Sequence, residues 1–171
     1  MLTRLLRTAV LLIALVVTTQ AASASEDSPE NLILGRAVAA SRKSEPEWRF
    51  IPAILNAPGP LMDEQLGAAG GSWERLSDRS THIGVTVYTI ATAEAATRWM
   101  DRQAHGEVAK VWTVVTYEAG DGATMSTYPD PRGFTQYQTA IRKGRFLLMI
   151  SGRSKETIGR FAKLLLTAIS D

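Results

Sequence analysis

The spacing of apolar residues changes period several times along the chain, and each change marks an element. Ile33, Leu34, Ala37, Val38 and Ala40 recur at helical intervals up to about Lys43. Ser28 is placed to N-cap this helix, and Pro29 fits its first position, where a missing N–H costs nothing. Arg42 and Lys43 fall in its last turn, where cations suit the dipole. Residues 44–72 carry no such period. Pro46, Pro52, Pro58 and Pro60 forbid a long helix there. Trp48–Leu55 reads as an extended stretch that Pro52 confines to an edge or an irregular path. Leu61–Ala69 reads as one or two helical turns, and Gly70-Gly71-Ser72 as a break.

Beyond Trp73 the pattern turns to strands. Trp73–Leu76 is a short one. His82–Ile90 alternates strictly, with Ile83, Val85 and Val87 on one side and His82, Gly84, Thr86 and Tyr88 on the other. Thr92 caps a helix to about His105, with Ala93, Ala96, Met100 and Ala104 as its stripe and Trp99 beside it. Glu94 and Arg98 are spaced for an i,i+4 pair, and Gly106 is the stop signal. Lys110–Glu118 is β-branched and aromatic, and Gly120-Asp121-Gly122 turns it into a short strand at Thr124–Tyr128. Asp130-Pro131-Arg132-Gly133 suits a type I turn. Phe134–Arg142 and Arg145–Ser151 form a hairpin joined by Lys143-Gly144. Leu147–Ile150 is apolar on both faces, which places that strand in the middle of a sheet. Ser154 caps the last helix, whose Ile158, Phe161, Ala162, Leu165 and Ile169 form a stripe widened by Leu164 and Leu166.

Four successive strands with tight turns demand antiparallel pairing. The expected class is α+β, an antiparallel sheet of about five strands packed by two or three helices. Over residues 73–171 the order of elements resembles the PsbP/Mog1 type of fold. The resemblance lies in element order alone and implies nothing about activity.

The N-terminus changes the charge picture. Arg4 and Arg7 precede the apolar run Ala9–Val17, and Ala22 and Ala24 supply small side chains ahead of Ser25. This is the three-part pattern of a secretory signal over residues 1–24, removed to leave one domain over 25–171. The run is under half of the roughly 20 residues that span a bilayer, so no membrane span is expected after cleavage. No Cys follows it, which excludes a lipoprotein-type anchor, and the arginines are not adjacent, which excludes a twin-arginine signal. The expected location is exported, periplasmic or extracellular. The whole chain has 19 basic and 17 acidic residues. Without Arg4 and Arg7 it is neutral, so its basic pI does not argue for nucleic acid.

Candidate chemistry is sparse. The absence of cysteine removes thiol catalysis and thiolate metal sites. His82 and His105 accompany no G-x-S-x-G or S-x-x-K motif, and Gly152-Arg153-Ser154-Lys155-Glu156 fails the former at its last position. Metal-ligand spacing and phosphate-loop glycines are missing, so no catalytic residue, metal site or cofactor is assigned. One asymmetry stands out. Residues 132–171 hold 8 basic and 2 acidic residues. Arg142, Lys143 and Arg145 crowd the hairpin tip, while Arg153 and Lys155 lie at the far end of the strand, about 20 Å away at ~3.3 Å per residue. A solvated surface explains most such charges. The functional alternative is a contact surface for an anionic envelope component or an acidic protein. An apolar cleft between the sheet and residues 44–72 is a second expectation, drawn from the length and proline content of that segment. The reading that follows is a non-enzymatic binding module of the cell envelope, with a carboxylate-based hydrolase or a structural subunit as alternatives.

Overall fold

A computed structural model describes residues 27–53, 64–105, 113–115, 117–129 and 133–170. Seven strands form one antiparallel sheet: β1 (Trp48–Ala53), β2 (Gln65–Arg75), β3 (Asp78–Ile90), β4 (Thr113–Val115), β5 (Gly122–Pro129), β6 (Thr135–Lys143) and β7 (Phe146–Gly152). Their order is β1-β2-β3-β7-β6-β5-β4, so a three-stranded and a four-stranded meander dock along β3 and β7. Helices α1 (Pro29–Ser44) and α3 (Lys155–Ser170) pack on one face; α2 (Ala93–His105) packs on the other. The α+β class stands, with more strands than the five or so expected.

The helix caps form where the sequence places them. Ser28 Oγ accepts from Asn31 N at 3.4 Å, Thr92 Oγ1 from Ala95 N at 3.1 Å, and Ser154 Oγ from Thr157 N at 3.2 Å. β7 is central, as its two apolar faces require. β1 is an edge strand, which spares Pro52 a second partner.

Residues 65–75 differ from expectation. They form one long strand, and Gly70-Gly71-Ser72 lies inside it. The cause is tertiary. A Cβ on Gly67 would collide with the Glu30 carboxylate of α1, and one on Gly71 with the Phe50 ring and the Ile51 carbonyl of β1. Glycine in this strand marks where other groups press against the backbone. The same register makes 48–53 and 65–72 part of the sheet, so those residues do not form a loop wall over it. Residues 54–63 lie outside the described residues, as do Gly106–Trp112 and Asp130–Arg132. Of the expected strand 110–118, residues 110–112 and 116 lie outside the described residues; among the described ones, 113–115 pair with β5 and 117–118 do not continue the strand. Lys143 pairs with Phe146, so the hairpin loop is Gly144-Arg145, one residue later than expected, with Gly144 at φ 56°.

The main core lies under α1 and α3. Trp73 and Phe161, both fully buried, have ring centroids 4.7 Å apart, and Trp48 and Phe50 stack against them at 5.3 and 4.9 Å. Trp73 Nε1 donates to Ser41 Oγ at 3.0 Å, tying the sheet to α1. The core under α2 is smaller: Ala95, Ala96 and Ala140 with Met100, Leu147, Ile90 and Tyr88.

Candidate functional site

α1 and α3 bury their apolar stripes in the same core, so both turn their polar sides outward together. They run antiparallel: Arg36 Nη1 donates to the Ala168 carbonyl at 3.2 Å, and Arg160 Nε meets Glu45 Oε1 at 3.3 Å. The outward side of the pair carries Arg36, Arg42, Lys43, Lys155, Arg160 and Lys163. Its exposed acid is Glu156, because Glu30 is buried. Glu45, just beyond α1, is buried and neutralised by Arg160.

Two depressions flank α3. A groove of about 340 Å³ runs between α1 and α3, floored by Ala40, Leu164 and Ala168 and edged by Arg36, Arg160 and Lys163. A more open cleft of about 500 Å³ lies between α3 and residues 117–120, with Lys143 and Lys163 on its walls. The Tyr117 ring packs against the main core, and burial pushes its hydroxyl pKa up.

The residues singled out from the sequence separate into two groups at opposite ends of β7. At the hairpin tip, Asp121 gathers the charges. Its Oδ1 accepts from Lys143 Nζ at 3.1 Å and its Oδ2 from Gly144 N at 2.7 Å, while Arg142 Nη2 donates to its carbonyl at 2.8 Å. These contacts, led by the Gly144 N–H, hold the Asp121 carboxyl below the usual carboxylate value. Asp121 is therefore more than a turn residue: it holds Arg142 and Lys143 and offsets one of the three positive charges at the tip. Arg145 lies over the Phe146 ring at 5.8 Å. At the far end, Arg153 stacks on Phe134 at 4.3 Å. Lys155 is exposed on the first turn of α3. Lys155 thus lies on the helix side with the cations of α1 and α3, whereas Arg142 and Lys143 are held by Asp121 and Arg153 stacks on Phe134.

The sequence reading missed the contribution of α1. The signal was present, because Arg36, Arg42 and Lys43 lie opposite an apolar stripe just as the α3 cations do. Only the antiparallel helix pair brings the two sets together.

On the α2 side the charges alternate. Glu64 and Asp101 share a cleft of about 290 Å³ with Arg98 and Arg102. Both acids are exposed, and Glu64 Oε1 is held by Arg98 Nη2 at 2.7 Å. Arg98 was expected to pair with Glu94; it bonds instead to Glu64 across the fold. An exposed ion pair beside an exposed acid differs from two buried carboxylates set for acid–base work. His82 is exposed, with Nδ1 3.3 Å from the Ser80 carbonyl. Among the described residues no group of three or more metal-ligating side chains converges, and no helix is long and apolar enough to cross a membrane.

No protein-family model matches the sequence, and no curated protein matches it. Among solved structures the chain is similar to the extracellular domain of PknH from Mycobacterium tuberculosis, with a TM-score of 0.47 and 11% sequence identity. The match covers 63% of this chain and 66% of that one, so it spans less than two thirds of the PknH domain.

Proposed function

We propose that this is an exported, non-enzymatic domain of the cell envelope that docks on an anionic envelope surface through its α1–α3 layer. The observation that carries the reading is the unbalanced outer face of the helix pair, with six exposed cations and one exposed acid. The α2 helix, of similar length, exposes Glu94, Arg98, Asp101 and Arg102, two charges of each sign. A like-charged surface repels itself and is relieved by an anionic partner. Near an anionic bilayer each Lys or Arg contributes about 1 kcal/mol, so a layer of this charge is enough for reversible docking. The N-terminal export signal read from the sequence supports an envelope location.

The test is co-sedimentation with vesicles of phosphatidylglycerol and phosphatidylcholine against phosphatidylcholine alone. The protein is expected on the anionic vesicles and off the neutral ones, with binding falling as salt shortens the Debye length. Arg42→Glu, Lys43→Glu and Lys155→Glu combined should weaken binding by about tenfold or more. Equal binding to both vesicles, or no change in the triple variant, refutes the reading.

A further inference from the structure

We propose that the groove between α1 and α3 is a binding site for a single-chain anionic amphiphile, an alkyl chain bearing one phosphate or carboxylate. The inference rests on the docking reading above and names what the same face would hold.

The groove combines two features that an ordinary seam between helices need not have. Its floor is apolar where the surrounding surface is strongly basic. Ala40 is exposed on α1 and faces Leu164 and Ala168 of α3, so the seam stays open where a longer side chain would close it. Its volume of about 340 Å³ is near the lower end of the ~300–1,000 Å³ typical of small-molecule sites, which suits one chain rather than two.

The cations are unequal in their commitments, and this sets the direction of the ligand. Arg36 donates to the Ala168 carbonyl and so closes one end of the groove by capping α3. Arg160 bonds to Glu45 through Nε, which fixes the guanidinium and leaves its outer N–H groups available. Lys163 is three residues further along α3, on the same side, and makes no salt bridge among the described residues. Arg160 and Lys163 are thus a fixed fork beside a mobile point charge. An anionic head bound between them lets its chain run along Ala40 and Leu164 toward Arg36. Glu45 offsets one of the three cations, and the lining keeps a net positive charge.

The experiment is native mass spectrometry and calorimetric titration of the full chain with dodecyl phosphate below its micelle concentration. Inorganic phosphate and dodecanol serve as the separate head and chain. One-to-one binding of dodecyl phosphate is expected, with each control at least tenfold weaker. Ala40→Trp fills the groove without changing charge, and Thr167→Trp fills it from the opposite wall. Each should weaken dodecyl phosphate at least tenfold, as should Lys163→Gln, while the melting curve and vesicle sedimentation of the two tryptophan variants stay near wild type. Absence of one-to-one binding, equal binding of dodecanol, or undiminished binding in both tryptophan variants overturns the site. Vesicle docking without amphiphile binding removes the groove and leaves the docking surface. Amphiphile binding without vesicle docking does the reverse.

Discussion

The two faces of the sheet are closed in different ways. Under α1 and α3 lie the rings of Trp48, Phe50, Trp73 and Phe161, and the buried Trp73–Ser41 hydrogen bond fixes the depth of α1. Under α2 three alanines, Ala95, Ala96 and Ala140, bring the helix close to the sheet, with Met100, Leu147, Ile90 and Tyr88 filling between them. The exteriors differ in the same sense. The helix pair shows almost only cations, while α2 alternates sign and reaches across to Glu64. A face built to be stable on its own terms would pair its charges, as the α2 side does. The helix-pair face instead carries an excess of cations over the ring-packed core. Close packing behind a surface suits binding, because less has to be reordered when a partner arrives.

The difference in packing can be broken at one residue. Trp73→Ala removes the centre of the ring cluster and leaves a cavity, and should cost about 3–5 kcal/mol. Trp99→Ala on the α2 side removes a ring that is only partly buried and should cost less than half as much. Urea unfolding of the two variants checks this. Equal losses would mean that the two faces contribute alike.

The same contrast shows what could be read in the chain. All three helices, their caps and the central place of β7 were legible, because each depends on local pattern. The strand at 65–75 was not. Its glycines look like breakers, and what makes them strand residues is the Glu30 carboxylate from 35 or more residues earlier and the Phe50 ring of the neighbouring strand. The candidate surface was half legible. The α3 cations and the hairpin tip stood out as a basic C-terminal quarter. The holding of Arg142 and Lys143 by Asp121, more than 20 residues away in sequence, did not. Nor did the alignment of Arg36, Arg42 and Lys43 with α3, which exists only once two apolar stripes share one core.

Glycines sharpen this point, because the same substitution should change sign between elements. Gly67→Ala and Gly71→Ala push a methyl into occupied space and should destabilise by about 1–3 kcal/mol. Gly35 in α1 has nothing within 4 Å of a built Cβ, and Gly159 in α3 meets only Tyr117 Oη at 3.8 Å. Gly35→Ala and Gly159→Ala should therefore stabilise by about 0.8–1 kcal/mol, the helix-propensity difference. Thermal melts of the four variants decide it. A loss at Gly159 would show that the cleft beside α3 needs its open wall for folding.

The smallest expected effect lies at the hairpin tip, where the two faces meet. Arg142 pairs in register with Leu147 of the α2-side core, while Lys143 reaches the cleft beside α3, and Asp121 holds both. The Asp121 carboxyl is held below its ordinary value of 3.8 by the Gly144 N–H first and Lys143 second. A carboxyl lowered by folding stabilises the native state above its unfolded value, and that contribution is lost as pH falls through the folded value. With Asp121 largely open to solvent, the contribution is below about 1 kcal/mol. Asp121→Asn should lower the melting temperature slightly at neutral pH and match wild type once the wild-type carboxyl is protonated. Asp78 offers the control. Its carboxyl is also lowered, but chiefly by Thr81 and Ser80 hydrogen bonds rather than by a cation. Added salt should therefore raise the Asp121 midpoint in an NMR titration more than that of Asp78. Equal salt shifts would mean that Lys143 is not held by Asp121 in solution. It would then rejoin the cations of the helix-pair face and enlarge the proposed docking surface.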